Sequence, residues 1–326
     1  MRAIAIEEFG GPEVLKVVEL PKPTAGATDL LVEVYATAMN PVDTKVRKGA
    51  HGPKAFPLVL GFDVSGVVVG VGGEVEGFGI GDEVFASPSL ARQGANAEFV
   101  AVDYRTAALK PPGLDHVHAA ALPLVTITAW ESLHDRAAIR SGETVLIQAG
   151  AGGVGHVAVQ LAKAAGCRVI TTASRPETID LCRRLGADVV IDHKKEDFAA
   201  SVMRLTHGKG CPVVFDTVGD PVFDKCLDCV AVNGRLVTIV FNENRRVVPA
   251  LFRKNATLHM EFMGAATIHG IDVQRQGAIV RRAAEMVGAG TLKPHVGGVV
   301  GLDDLAAAHE RQQSGSVIGK TVVRVK

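Results

Sequence analysis

The stretch Val145–Ala165, VLIQAGAGGVGHVAVQLAKAA, is the strongest indication of the fold in this sequence. It opens with the apolar run Val145–Ile147, which is typical of a buried strand, and turns at Gly150–Gly155 into small residues typical of a closely packed helix. In this order of strand, turn and helix, G-x-G-x-x-G predicts dinucleotide binding, because the helix amides and dipole face the phosphates. The alternative is an ordinary strand-to-helix turn, but the flanks favour the dinucleotide.

Each glycine of this turn has an expected role. Gly150 permits the tight turn, Gly152 lets the backbone approach a pyrophosphate, and Gly155 lets the helix pack closely on the strand. Gly153 and Val154 fall at the start of the helix, so their free amides are expected to face the same phosphates.

The composition of the 326 residues excludes several function classes. The 35 basic and 35 acidic side chains leave no net formal charge, and no extended basic run stands out, so nucleic acid and anionic membrane are poor candidates for partners. The apolar runs are too short to span a bilayer, and the first residues do not form a secretory signal. Five scattered cysteines form no disulfide framework, so we expect a cytoplasmic protein.

The first part of the chain predicts a β-rich domain, and helices follow it. After Pro111-Pro112 the sequence pattern changes from strand-like to helical. Helices are predicted over Ala119–Leu122 and Thr128–Arg136, with a domain boundary near Pro123. The preceding strands are predicted over Ala3–Glu8, Val14–Glu19, Leu30–Ala38 and Val64–Val71.

The middle of the chain alternates strands with helices, which predicts a parallel doubly wound sheet. A further strand, Thr257–Met263, a helix, Asp272–Gly288, and a last strand, Val317–Val325, complete the pattern. We therefore expect an α/β protein with a β-rich domain over 1–122, a nucleotide-binding domain over 123–264, and a return to the first domain over 265–326. The alternating strands are predicted over Val145–Gln148, Arg168–Ala173, Val189–Asp192, Val213–Thr217 and Arg235–Val240.

The end of the second alternating strand indicates which dinucleotide binds. An acidic residue there would bind the ribose hydroxyls, but the sequence has Ser174-Arg175 and no carboxylate before Glu177. A hydroxyl and a guanidinium suit a 2′-phosphate, so NADPH is favoured over NADH. The alternatives are a helix cap at Ser174 with Glu177 completing a capping box, and a solvated charge at Arg175.

Motifs along nearly the whole chain resemble medium-chain dehydrogenase/reductases of the zinc-independent quinone oxidoreductase branch. The resemblance implies a GroES-like β-barrel catalytic domain and a Rossmann domain that binds NADPH. It rests, besides the glycine turn, on GGPEVL at Gly10–Leu15, NPVDTKVRKG at Asn40–Gly49, LGFDVSGVV at Leu60–Val68, GIGDEVF at Gly79–Phe85, TITAWESL at Thr126–Leu133 and IGKTVV at Ile318–Val323.

The resemblance also implies that the chain is metal-free. Where zinc enzymes of the family carry a cysteine and a His-Glu pair, this sequence has Asn40 and Phe62-Asp63, and no cysteine precedes Cys167 to form a structural zinc lobe. Cys226 and Cys229 have C-x-x-C spacing but fall in a predicted helix, where a buried helical face is a better interpretation than a metal or redox site.

Further roles follow from the resemblance alone. Asn40, Asp43 and Lys45 would lie at the mouth of the catalytic cleft, with Asp43 holding the loop, and Thr128 would approach the nicotinamide end. The expected cofactor groove adds His193, beside the adenosine phosphate, and Thr217, Val218, Val240 and Phe241. The expected substrate wall adds Phe262 and Met263, with Phe241 also on the substrate side.

Hydride transfer without zinc favours an activated acceptor, a quinone or an α,β-unsaturated carbonyl, because charge accumulates on an oxygen that no Lewis acid stabilises. Lys45 is the first candidate donor to that oxygen and Asn40 the second; solvent could also supply the proton. Lys45 could instead contact the cofactor ribose or be a surface charge, and Asn40 could form a turn before Pro41.

Two other functions stay open at this point. One is the reduction of another activated alkene, such as a haloacrylate or an alkenal. The other is a non-catalytic, crystallin-like NADPH-binding protein.

The strand Thr257–Met263 would form an open sheet edge. Relatives pair this edge across a two-fold axis, so we expect a homodimer.

Overall fold

The computed structural model describes residues 1–50, 55–241 and 243–326. Their contacts divide the chain into two units. The first comprises Met1–Ile127, Gly264–Gly290 and Pro294–Lys326, and the second comprises Thr128–Met263 and Thr291–Lys293. Each unit builds its own sheet structure around its own buried side chains.

The amino-terminal part of the first unit is mainly strand. A short 3-10 helix, Pro12–Val14, precedes the first α-helix, α1, which begins at Pro41, because proline is pre-organised for a first helical position. The elements are β1 (Arg2–Ile6), β2 (Lys16–Glu19), β3 (Asp29–Ala38), α1 (Pro41–Arg47), β4 (Leu58–Val59), β5 (Val64–Val71), β6 (Glu83–Ala86), β7 (Phe99–Asp103), β8 (Ala107–Leu109), α2 (His116–Ala120) and α3 (Pro123–Trp130).

A π-helix, Glu131–Arg136, continues α3 into the second unit, where strands and helices alternate. The elements are β9 (Thr144–Ile147), α4 (Gly153–Ala164), β10 (Arg168–Ala173), α5 (Pro176–Arg184), β11 (Val189–Asp192), α6 (Phe198–Leu205), β12 (Cys211–Asp216), α7 (Val222–Cys229), β13 (Val230–Thr238), α8 (Val247–Phe252) and β14 (Thr257–Met260).

The strands of the second unit form the predicted parallel, doubly wound sheet. Their order is β11-β10-β9-β12-β13-β14, and every pairing in it is parallel. The strand order reverses between β9 and β12, and sheets of this kind bind ligands outside the carboxyl ends of the strands at such a reversal. The glycine turn follows β9, so the fold brings it to this position.

The carboxyl-terminal part of the chain adds α9 (Gly264–His269), α10 (Val273–Gly288), β15 (Val296–Gly301), α11 (Leu305–Gln313) and β16 (Lys320–Arg324). Strand β16 pairs antiparallel with β3, and the larger sheet of the first unit runs β15-β16-β3-β5-β6-β8, with β7 also paired to β3. A smaller sheet has the order β2-β1-β4. Across the described residues, no helix is long and apolar enough to cross a bilayer.

Several strand ends differ from the sequence prediction. Strand β14 ends at Met260 rather than Met263. Glu261 follows it, and its buried carboxylate accepts from Arg136 Nε at 2.7 Å. Strand β13 begins at Val230 rather than Arg235. It includes Asn233-Gly234, a dipeptide that in sequence is typical of a turn, and Asn233 has a φ of 59°.

Candidate functional site

The glycine turn joins β9 to α4 and leaves the start of the helix open. Gly152 caps α4 in an extended conformation without a side-chain hydrogen bond, and Gly153 and Val154 are partly exposed in the first turn. The start of the helix therefore combines partly exposed residues with backbone N–H groups that lack intrahelical partners and with the positive end of the dipole. That arrangement suits a phosphate group.

The expected role of Gly150 needs a correction. The left-handed residue of the turn is Ala149, at φ 50°, so Gly150 is not required for a positive φ. A Cβ on Gly150 would instead lie 2.2 Å from Thr171 Oγ1 on β10. Gly150 is needed because the turn passes directly against the second strand of the sheet.

Gly155 packs closely, as the motif predicts. A Cβ added there would lie 2.1 Å from the Ala149 carbonyl oxygen and 3.0 Å from the Gly150 Cα. A Cβ on Gly152 would lie 3.1 Å from the same oxygen. The residues present therefore fit a pyrophosphate, because side chains at these positions would close the space over the helix amides or displace the turn.

Polar residues at the strand ends hold this turn, and the sequence analysis singled out only Thr217 among them. Thr172 Oγ1 donates to Gln148 Oε1 at 2.7 Å and accepts from the Ala149 amide at 3.0 Å. Thr217 Oγ1 donates to the Gln148 carbonyl at 2.9 Å. These bonds connect the carboxyl ends of β9, β10 and β12. The signal in the sequence was a polar residue directly after, or at the end of, each apolar run.

Ser174 and Arg175 lie directly after β10, but Ser174 is not the helix cap. Arg175 is the N-cap of α5, and Thr178 completes the cap, since its hydroxyl accepts from the Arg175 amide at 3.1 Å. Glu177 instead lies 3.5 Å from Arg175 Nε. The Ser174 hydroxyl makes no hydrogen bond to residues 1–50, 55–241 or 243–326, and both side chains are partly exposed. His193 is exposed at the end of the neighbouring β11.

Asp216 supports the turn after β12 and was also missed by the sequence analysis. Its buried carboxylate accepts from the amides of Val218 and Gly219 at 3.1 Å and 3.0 Å, and from Thr238 Oγ1 at 2.8 Å. Burial raises the pKa of this carboxyl group. The bonds fix Val218, which is exposed, at the end of the strand.

The other predicted groove and wall residues of the second unit differ in exposure. Thr128 is buried in α3, and Val240 and Met263 are partly buried. Phe241, which follows β13, is 79% exposed, and Phe262, which follows β14, is 41% exposed. Large apolar side chains that remain exposed at strand ends are available to a ligand or a partner.

In the first unit, three neighbouring strands bring Asn40, Asp63 and Lys320 together. Strand β3 pairs on one side with β16, where Ala38 faces Val322, and on the other with β5, where Thr37 faces Val64. Asn40 follows β3, Asp63 precedes β5, and Lys320 begins β16, so all three lie at one end of the sheet. All three are fully buried.

These three side chains form a closed hydrogen-bond network. Asn40 Nδ2 donates to Asp63 Oδ2 at 2.8 Å and to the Ala38 carbonyl at 3.2 Å. Lys320 Nζ donates to Asn40 Oδ1 and to Asp63 Oδ2, the latter at 3.0 Å. Asp63 Oδ1 accepts from the Leu124 amide at 2.7 Å. Burial raises the pKa of Asp63, while Lys320 opposes that rise.

Asp43 is buried beside this network and holds the backbone around it. Its Oδ2 accepts from the Asn40 amide at 2.7 Å, and its Oδ1 accepts from the Gly61 amide at 2.9 Å. Burial raises the pKa of Asp43 to about 7. This geometry is that of a residue holding the loop, which is the role expected for Asp43.

Lys45 lies two residues further along α1 and is exposed. Its amine has no hydrogen bond or ion pair with the described part of the chain. Two turns into α1, Arg47 is buried, and its Nη1 lies 2.9 Å from His309 Nδ1. Burial lowers the pKa of His309 to about 3, so the ring is neutral and Nδ1 accepts.

The donor set at the position of the family's catalytic zinc does not fit a metal. Asn40 and Asp63 use their side-chain atoms on each other and on Lys320, and a second cation beside a buried ammonium is repelled. Within the described ranges, no group of three or more His, Cys, Asp or Glu residues could hold a metal ion. Cys226 and Cys229 are buried thiols on α7, as predicted.

Comparison with known proteins gives two family matches. Residues 26–112 match the alcohol dehydrogenase GroES-like domain, and residues 153–275 match the zinc-binding dehydrogenase domain. A zinc-type alcohol dehydrogenase-like protein of Staphylococcus aureus is 37% identical over 96% of this chain and 95% of its own length. A quinone oxidoreductase of Pseudomonas aeruginosa is 39% identical over 73% of this chain and 72% of its own.

Solved structures agree with these matches. A quinone oxidoreductase of Escherichia coli complexed with NADPH has a TM-score of 0.90 and 27% identity, with full coverage of both chains. An NAD-dependent alcohol dehydrogenase has a TM-score of 0.90 and 34% identity, again over both chains in full. The protein is thus an oxidoreductase that uses a nicotinamide cofactor, and its chain belongs to the medium-chain dehydrogenase/reductase superfamily, in the quinone oxidoreductase branch.

Proposed function

We propose that the protein is an NADPH-dependent reductase that transfers a hydride to a quinone or an α,β-unsaturated carbonyl without zinc. The observation that carries the proposal is the open glycine turn at the strand-order reversal, together with Ser174 and Arg175 at the end of the next strand. The quinone oxidoreductases of similar sequence and structure support the choice of acceptor.

The choice of NADPH rests on charge and hydrogen bonding. After β10 the chain offers a hydroxyl without a protein partner among the described residues and a partly exposed guanidinium, and both donate to a 2′-phosphate. A carboxylate at this position would repel that phosphate. His193, directly after the adjacent strand, would contact the same adenosine end.

Bound NADPH would supply the hydride, and the protein would bind and orient it. The backbone amides of Gly153 and Val154 would hold the pyrophosphate, while Thr128, Thr217, Val218 and Val240 would line the rest of the groove. Phe241, Phe262 and Met263 would give an apolar wall suited to a flat quinone ring.

The acceptor oxygen needs a donor as negative charge develops on it. Of the two candidates, Lys45 is the one whose ammonium is exposed and without a described partner, whereas both Asn40 amide hydrogens are donated to Asp63 and Ala38. We therefore assign Lys45 as the donor and give Asn40 and Asp43 a positioning role.

We also propose a homodimer paired along β14, the last strand of the second unit's sheet. Its outer edge is unpaired among the described residues, and Met260 on it is 61% exposed. Such an edge tends to be covered by another chain.

The test of the cofactor is Ser174→Asp, with NADPH and NADH titrated separately and followed by the fluorescence of the reduced nicotinamide. The added carboxylate should weaken NADPH binding about tenfold or more and leave NADH binding within about twofold. Ser89→Asp, an exchange in the first unit, serves as the control. Equal effects on both cofactors would remove the phosphate-site argument.

The test of the acceptor is NADPH deuterated at C4, turned over with quinones and with enones. Deuterium on the β-carbon of the saturated product, the former alkene carbon, identifies enone reduction. A hydroquinone without label on carbon identifies quinone reduction. The absence of turnover with both, while NADPH still binds, would favour the non-catalytic alternative.

A further inference from the structure

We propose that Lys320 is a positioning residue for the reduction: its buried ammonium fixes the side chain of Asn40 and so the backbone of Asn40, which holds the start of helix α1, the helix that carries Lys45. The expected effect on kcat rests on the proposed function, whereas the expected effect on the position of α1 rests only on contacts within the first unit. Lys320 is far from Asn40 in the sequence and meets it only because β16 pairs with β3.

Helix α1 needs such support because it is too short to hold itself. It spans seven residues, Pro41–Arg47, whereas isolated helices below about 12–15 residues are marginal in water. Its position is therefore set by contacts with its surroundings at each end. At the amino end the Asn40 carbonyl accepts from the Asp43 amide at 3.0 Å, and the Asn40 amide donates to Asp43 Oδ2 at 2.7 Å.

Lys320 determines how Asn40 is oriented. Because the ammonium can only donate, it requires the oxygen of the Asn40 amide to face it, which turns Nδ2 toward Asp63 and the Ala38 carbonyl. Lys320 is also the counter-ion of Asp63, whose other oxygen binds the Leu124 amide. Without Lys320, Asn40 Oδ1 and the Asp63 carboxylate would lose their charged donor inside the protein.

The carboxyl end of α1 is anchored independently. Arg47 is fully buried, its Nε donates to the Gly10 carbonyl at 3.1 Å, and its Nη2 donates to Gln313 Oε1 at 3.3 Å. With this end held, loss of Lys320 would release the amino-terminal turn rather than the whole helix. Lys45 lies between the two anchors, so its amine would move with that turn.

The experiment compares wild type with Lys320→Met, with a double variant that combines Asp63→Asn and Lys320→Met, and with Lys16→Met as an exposed lysine control. Amide hydrogen exchange over residues 41–50 reports on α1, and kcat and the Kd for NADPH report on function. In the double variant the Asn40 amide can turn over so that its Oδ1 accepts from the side-chain NH2 introduced at position 63, whose oxygen keeps the bond to the Leu124 amide, and the buried charges are gone.

Lys320→Met should speed exchange in α1 and lower kcat about tenfold or more, since small displacements of a reacting group carry losses of that order. The Kd for NADPH should stay within about twofold, because the cofactor residues lie in the second unit. The double variant should recover exchange and kcat to within about threefold of wild type, and Lys16→Met should match wild type in every measurement.

Unchanged exchange in Lys320→Met would overturn the proposal, and so would a double variant that recovers exchange but not kcat, since the charge itself would then be required. If Lys320→Met does not fold, Asn40→Ala tests the same link while keeping the ion pair with Asp63. A lower kcat in Asn40→Ala without faster exchange would contradict positioning. If wild type reduces no acceptor, the proposed function fails, and the exchange data alone still decide whether Lys320 holds α1.

Discussion

Replacing Gly155 with alanine places a methyl group where the turn and helix α4 meet. The new Cβ would lie 2.1 Å from the Ala149 carbonyl oxygen and 3.0 Å from the Gly150 Cα, and both contacts are to backbone. Since heavy atoms rarely approach closer than about 3 Å, the start of α4 or the turn must move by about 1 Å. Overpacking of this kind costs about 1–3 kcal/mol.

The same displacement moves the amides that would hold the pyrophosphate. We therefore expect Gly155→Ala to weaken NADPH binding about tenfold or more, as each 1.4 kcal/mol corresponds to about a factor of ten. Nicotinamide fluorescence on titration gives the Kd, and urea unfolding gives the free energy of unfolding.

Gly288→Ala is the matched control, because Gly288 ends α10 and a Cβ there would meet nothing within 4 Å. It should bind NADPH like wild type and be as stable or more stable, by up to about 1 kcal/mol. Wild-type affinity in Gly155→Ala would refute the assignment of the glycine turn as the pyrophosphate site.

Three further predictions concern the first unit and the sheet edge. Lys45→Met should lower kcat about tenfold or more at unchanged NADPH affinity, with the exposed Lys48→Met as control; an unchanged kcat would remove Lys45 as donor. Burial raises the pKa of the Asp43 carboxyl group to about 7, from an ordinary value of 3.8. The folded state therefore binds the carboxyl proton more tightly than the unfolded state does. The contribution of this group to the free energy of unfolding falls as pH rises from about 4 to about 7. The loss of unfolding free energy in Asp43→Asn should therefore be larger at about pH 5 than at about pH 8 by urea unfolding, and a pH-independent loss would contradict the shift. Met260→Lys should shift the molecular mass measured by light scattering from that of a dimer to that of a monomer, whereas Ile80→Lys, at another exposed position, should not. If both variants remain dimers, pairing along β14 is refuted.

The second unit was predictable because local pattern and topology agree there. An apolar run, a glycine turn and a helix repeat along the chain, and a parallel sheet with short connections leaves little choice of strand order. Strands such as Arg168–Ala173 and Val189–Asp192 were predicted to the residue. The cap of α5 was not, because Ser174 and Arg175 both precede the helix and only the backbone geometry decides between them.

The polar network of the first unit could not be derived from local pattern. Lys320 lies in the closing IGKTVV motif, and Asn40 and Asp63 lie in motifs of their own, but their contact depends on the register of β16, β3 and β5. A one-residue slip would turn Lys320 to the other face of the sheet. Gln148, Thr172 and Asp216 were missed for the same reason: their importance comes from partners on neighbouring strands.

The most direct test is the initial rate of NADPH oxidation by purified protein with a metal chelator present, measured with a quinone and, in a separate assay, with an α,β-unsaturated carbonyl. With at least one of the two acceptors we predict acceptor-dependent oxidation that the chelator does not reduce, with kcat/KM for NADPH above that for NADH. A rate no higher than the protein-free background with both acceptors, a higher kcat/KM for NADH, or activity that the chelator abolishes would contradict the proposed function.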